Sequence, residues 1–234
     1  MTRTIDIPTF QTTVVRNCSP TLAGIKPASL FTYPGLYADQ NEKPGNPHIE
    51  ARRARLLAVI SQCNRELEPL GIHTSVLVWR PCGALIYVYR PAALMRYLSD
   101  PRAAAALAAE GYDVCNLPAS LVHLAARITL ASSNVAESAC DSGPCALARS
   151  EACDKGCACE FPHEIGYFLG YPYEDVHQFI AQHGENYKVF GAWKVYSNVE
   201  AALATFDAYR ECTQYLTYIY QQGCTLGQLV QATR

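Results

Sequence analysis

Four groups of residues in this chain have types and spacings suited to chemistry. The first centres on Cys18, which stands immediately before Ser19-Pro20-Thr21. That cap-and-proline pattern predicts the start of a short helical turn ended by Gly24. A thiol at such a start faces unpaired backbone N–H groups and the positive helix end, which stabilise a thiolate, and Lys26 nearby would lower its pKa further. The same N-terminus could instead bind an anion. The bland alternative is a half-buried thiol packed beneath the loop.

The second group is His163-Glu164, at the start of the dense stretch from Phe161 to Tyr196. An imidazole and a carboxylate at a helix start suit a general base with its orienter, or metal ligands. Adjacent residues diverge by about 100° on a helix, so they need not touch. Position 167 is Tyr, so the HExxH zinc-protease pattern is absent. The competing reading has Glu164 answering the helix dipole and His163 hydrogen-bonded to a loop.

The third group is Arg90, at a strand end, with Lys194 and Trp193 in another candidate strand. If those strands are neighbours, the two cations line one pocket and hold an anionic ligand, with Tyr87, Tyr89, Tyr171 and Tyr196 as aromatic walls. Taken singly, each of these residues also fits an ordinary half-buried role. The fourth group is Cys140-x4-Cys145-x7-Cys153-x3-Cys157-x-Cys159, followed after three residues by His163. Four thiolates suit zinc or an iron–sulfur cluster. The spacing is neither a repeated Cys-x2-Cys nor a ferredoxin run, so a redox-sensitive loop stays open beside the metal reading.

Elements must position these groups. Residues 1–17 read as an extended, Thr-rich lead-in. Tyr33–Pro47 reads as a loop, and Asn46-Pro47 then opens a helix with Ile49, Leu56, Ile60, Cys63 and Leu67 at helical spacing. His73–Arg80 and Ala84–Arg90, parted by Pro81-Cys82-Gly83, predict a hairpin. Helices follow over about 91–98, 100–111 and 118–132, the last with Leu121, Leu124, Ala125 and Ile128 on one face. The span 134–160 is small, polar and Cys-rich and reads as an inserted loop. Beyond it come a short helix at 163–169, another from Pro172 with Glu174 and Asp175 in its first turn and Val176, Phe179 and Ile180 inward, and a strand over Tyr187–Tyr196. Ser197-x-x-Glu200 predicts a capping box for a long helix to about Gln222, with Val199, Leu203, Phe206, Leu216 and Ile219 buried. Thr225-x-x-Gln228 predicts a last short one.

The sum is a helix-rich α+β single domain over residues 1–234. Its small, mostly antiparallel sheet of about three or four strands is covered by helices, with the hairpin and the 187–196 strand at its centre.

The chain of 234 residues is half apolar and 17% charged, enough for one substantial core. A net charge of −2 gives no basic excess for nucleic acid or an anionic membrane. The most apolar helical stretch, Leu117–Val135, carries His123 and Arg127, which argues against a membrane span. The eleven cysteines are an odd count, and no apolar signal core opens the chain, so reduced thiols in the cytoplasm are expected. No Walker loop, GxGxxG or GxSxG is found, which disfavours P-loop, Rossmann and α/β-hydrolase chemistry.

Three blocks, CSPTLAGIKPASLF at Cys18–Phe31, ALIYVYRP at Ala84–Pro91, and FPHEIGYFLGYP through GAWKVY to the C-terminal helix, together resemble domain-of-unknown-function family 3793, an uncharacterised family found mostly in anaerobic bacteria. The resemblance implies that the Cys-x-Pro-Thr step recurs as a motif. It also implies that most members reach FPHEIG through a shorter segment lacking these cysteines, which makes the Cys140–Cys159 segment a local embellishment and puts a shared metal role in doubt. It supplies an order of elements and no mechanism.

The leading expectation is a thiol-dependent enzyme or small-anion-binding protein. Cys18 would be nucleophile or redox thiol, with His163 and Glu164 as acid/base partners, and Lys26, Arg90, Lys194 and Tyr171 would hold the ligand. The alternatives are a metal or iron–sulfur accessory protein using Cys140, Cys145, Cys153, Cys157 and Cys159, and a non-catalytic interaction module with tyrosine-rich surfaces.

Overall fold

The computed structural model describes residues 5–39, 46–137 and 161–233. Its first element corrects the expected lead-in. Helix α1 runs over Ile7–Leu22, capped by the Asp6 carboxylate, which accepts from the Thr9 N–H at 2.8 Å. Phe10, Val14, Cys18 and Leu22 recur every fourth residue and are all fully buried, the stripe of a core-facing helix. Pro20 therefore lies inside the last turn rather than opening a helix. The Ser19 hydroxyl turns back to the Val15 carbonyl at 2.6 Å.

Three strands form the main sheet: β1 (Ala28–Pro34), β2 (His73–Arg80) and β3 (Gly83–Tyr89), in the order β1-β3-β2, all antiparallel. The β2–β3 hairpin is the expected one. Its other neighbour is not: Leu30 of β1 stands opposite Tyr87, where the 187–196 segment was to pair. That segment instead folds on itself as a small hairpin of two-residue strands, β4 (Val189–Phe190) with β5 (Lys194–Val195). Gly191 at its turn explains the break. A Cβ there would lie 2.2 Å from the Phe206 ring, so the chain reverses against an aromatic side chain that only glycine admits.

Strand β3 is buried on both faces. Ala84, Ile86 and Val88 meet α1 and α2 (Pro47–Leu67); Leu85 and Tyr87 meet a second core built from α3 (Pro91–Leu98), α4 (Pro101–Ala109), α5 (Leu117–Glu137), α6 (Ile165–Phe168) and α7 (Tyr173–Ala181). Alternate residues thus serve opposite cores, and each large apolar side chain so buried contributes roughly 1.5–3 kcal/mol. Helix α2 begins as expected, with Asn46 accepting from the His48 N–H at 3.1 Å and Pro47 in the first turn.

The long helix α8 (Val199–Gln221) packs along α1, and α9 (Leu226–Gln231) closes the first core behind the expected Thr225–Gln228 capping box. Two details differ. Asn198, not Ser197, caps α8 through the Ala201 N–H at 3.1 Å. Leu203 and Ile180, expected inside, are 44% and 39% exposed. Among the described residues, no helix is long and apolar enough to cross a membrane.

Candidate functional site

Short elements rather than long ones build an aromatic-lined cavity. Pro162, His163 and Glu164 wind directly into α6, with the Gly166 N–H donating to the His163 carbonyl at 3.2 Å. Gly166 then lets α7 approach: a Cβ on it would lie 2.8 Å from a Val176 methyl. Between α6–α7 and the β4–β5 hairpin opens a cavity of about 310 Å³. Tyr171 and Trp193 form one side, stacked with centroids 5.1 Å apart; Phe179 and His163 meet edge-to-face at 5.0 Å on another; Phe161 and the exposed Phe190 edge it.

Asp175 fixes this geometry. Its buried carboxylate accepts from the Trp193 indole at 2.7 Å, the Tyr196 and Ser197 N–H groups at 2.9 Å each, and the Ser197 hydroxyl at 2.8 Å. Four donors around two oxygens satisfy the charge without a cation. They pin α7 to β5 and to the start of α8, and they explain why Ser197 is not a cap. In the sequence alone Asp175 is one of two acids in the first turn of α7. The signal that could have flagged it is Trp193, because a buried indole N–H needs an acceptor.

His163 and Lys194 both line the cavity. The imidazole meets solvent, yet desolvation by its surroundings is the main cause lowering its pKa, opposed by Glu164 and reinforced by His183. The shift favours the neutral imidazole at pH 7. The Lys194 ammonium donates to the Gly184 carbonyl at 2.9 Å and lies 4.7 Å from the Tyr187 ring centre and 5.8 Å from that of Phe179. Tyr171 is a wall residue, and burial pushes its phenol up to about 12.

The remaining expected site residues lie elsewhere. Glu164 turns away from His163 into a buried network, accepting from the Tyr112 hydroxyl at 2.8 Å and pairing with Arg127 at 2.9 Å. There the carboxylate is engaged by Tyr112 and Arg127, and it reaches His163 only through its charge. Arg90 is no ligand-facing cation either. Its guanidinium caps α1, donating to the Thr21 and Leu22 carbonyls at 2.7 and 2.5 Å, a cation answering the negative helix end.

Cys18 is a core residue on the flank of α1, away from any helix start. Burial pushes its thiol up to about 12 despite the pull of Lys26 and a Ser29 hydrogen bond, the reverse of the expected activation. Lys26 is itself buried. Desolvation brings its amine down to about 8, opposed by Cys18, and its head lies 4.8 Å from the Tyr171 ring centre on the core side of the cavity wall. Neither Cys18, Lys26 nor Arg90 lines the cavity. The metal set Cys140, Cys145, Cys153, Cys157 and Cys159 lies outside the described residues. Among the described residues, no group of three or more His, Cys, Asp or Glu could hold a metal ion.

Fold and site thus define a helix-rich α+β protein whose described core carries an aromatic cavity with one imidazole and one ammonium. A model of a family described as "Protein of unknown function (DUF3793)" matches residues 14–230, and the chain belongs to that family. No curated protein and no solved structure matches it.

Proposed function

We propose that this protein binds a small organic anion in the cavity between α6–α7 and the β4–β5 hairpin. One observation carries the reading: a largely apolar, aromatic-lined space of about 310 Å³ has an ammonium and a neutral imidazole among its lining residues. Ligand sites combine apolar walls with a few convergent polar groups, and this volume falls at their small end. Lys194 supplies the charge, since one ammonium N–H goes to Gly184 and two remain for a ligand oxygen. His163 supplies a neutral donor or acceptor. Cys18 takes no part, because a buried thiol with a raised pKa is a poor nucleophile.

Trp193 reports on the test. The chain has two tryptophans, and Trp79 lies apart in β2, so a Trp79→Phe variant isolates the cavity indole. Small carboxylates should change its fluorescence saturably, and Lys194→Met should weaken that response about tenfold or more. Saturable binding unaffected by Lys194→Met, or no response to any carboxylate, would overturn the reading.

The cytoplasm is the compartment we propose. Cys82 and Cys115 are free and exposed, a state that suits a reducing environment.

A further inference from the structure

The cavity's charge and size narrow the ligand class, on the reading that it binds an organic anion at all. Of the residues lining it, Lys194 alone carries a positive charge, because His163 is mainly neutral at pH 7 and no arginine is present. The Asp175 carboxylate on the same wall is held by four neutral donors and stays negative, so it works against any second anionic charge brought into the space. A dianion such as a phosphate monoester would bring one charge into this apolar space without a partner, which is costly. An organic cation fares no better: it would share this small space with the Lys194 ammonium, which repels it and already lies over the Phe179 ring.

Five of the lining residues, Phe161, Tyr171, Phe179, Phe190 and Trp193, are aromatic. Such walls favour a flat ring through offset and edge-to-face contacts beyond simple area burial. A cavity of about 150 Å³ holds one benzene. The space here is about twice that, room for a ring plus a short acid-bearing arm of about ten to twelve non-hydrogen atoms in all. We infer that the ligand is an aromatic monocarboxylate of arylalkanoic size, its ring between the Trp193–Tyr171 and Phe179–His163 walls and its carboxylate on Lys194.

The test uses the full chain carrying Trp79→Phe and five probes of similar bulk: 3-phenylpropanoate, octanoate, 3-phenylpropan-1-ol, phenyl phosphate and 3-phenylpropylamine. Each is titrated at pH 7.5 by Trp193 fluorescence, with calorimetry as a second readout. The expected order places 3-phenylpropanoate tightest, by about fivefold or more over octanoate for the aromatic contacts and about tenfold or more over the alcohol for the charged hydrogen bond. Lys194→Met should remove the preference for acid over alcohol while leaving the alcohol within about twofold. Lys194→Arg should keep the preference for the acid, which guards against a folding artefact. Octanoate binding as tightly as the aryl acid, or the phosphate or amine binding tighter, would overturn the ligand class while leaving a binding cavity. Failure of all five probes to bind would overturn the cavity reading together with it.

Discussion

Two regions of this molecule bring together similar chemistry and differ in access. In one, Cys18 and Lys26 are neighbours beneath the sheet, a thiol and an amine close enough to shift one another's pKa. In the other, His163 and Lys194 border the cavity beside α7. Tyr171 separates them, with Lys26 over its ring and Trp193 stacked against it. Desolvation dominates the first region, raising the thiol and lowering the amine, so that both are held toward their neutral forms. The second keeps an ammonium and an imidazole where a guest molecule can reach them. Residue types suggest chemistry in both places; accessibility assigns it to one.

The comparison breaks most sharply at the thiols. Cys82 and Cys115 are exposed, whereas Cys18 is sealed with its pKa at about 12 rather than 9.0. At pH 8 its thiolate population should be about a thousandfold below that of an ordinary thiol, before steric shielding is counted. Mass-spectrometric mapping of alkylation in the native protein should show Cys82 and Cys115 modified first and Cys18 only on unfolding. Rapid native labelling of Cys18 would return it to the list of active groups.

Asp175 holds the open region in shape. Asp175→Ala leaves four donors, two of them buried and two half-buried, without their acceptor and should cost on the order of 3–5 kcal/mol in urea unfolding. A loss below about 1 kcal/mol would mean that solvent reaches these groups.

Lys26 sharpens the sealed side through pH. Its amine titrates near 8 in the folded protein against 10.5 ordinarily. Between those values the unfolded chain holds a proton that the native state has released, so this group makes stability rise with pH across that window and leaves its full penalty in place below it. Lys26→Met should therefore be more stable than the parent at pH 7, by up to about 3 kcal/mol, with the gap closing toward pH 10. Cys18 works in the opposite sense above pH 9, since its folded pKa is the higher one. Below pH 9 the thiol is protonated in both proteins, folded and unfolded, so there the difference between them isolates Lys26. A gap that stays constant with pH would contradict the buried amine.

The smallest effects separate His163 from its neighbour. Glu164→Gln weakens the Arg127 and Tyr112 network and should lower stability by about 1–3 kcal/mol with ligand affinity nearly unchanged. His163→Ala should change stability by less than about 0.5 kcal/mol and instead weaken binding to Trp193-monitored ligands.

Much of the fold was legible because the signals were local. Asn46-Pro47 marked a helix start, Pro81-Cys82-Gly83 marked a hairpin, and Thr225 with Gln228 marked a cap. The failures came where tertiary contacts decide. Phe10, Val14, Cys18 and Leu22 carry a clear four-residue period, but the threonines between them mask it and Pro20 invites a helix start in the wrong place. Tyr187–Tyr196 has strand-like residues, yet Gly191 against Phe206 turns it back, leaving the edge of β3 to β1.

The site divided in the same way. His163, Lys194 and Tyr171 are found together because they sit in one dense stretch with the elements that shape the cavity. Arg90 and Glu164 have suitable side chains, but a helix end claims one and a half-buried arginine with a tyrosine claims the other, which no local pattern reveals. Asp175 looked like an ordinary first-turn acid because its partners lie 18 to 22 residues away.

The most direct measurement is a crystal structure of the protein soaked with 3-phenylpropanoate. The account predicts the aryl ring between Trp193 and Phe179, with a carboxylate oxygen within hydrogen-bonding distance of the Lys194 ammonium and the surroundings of Cys18 unchanged. A closed, empty cavity, or the compound seated against Cys18 and Lys26, would contradict it.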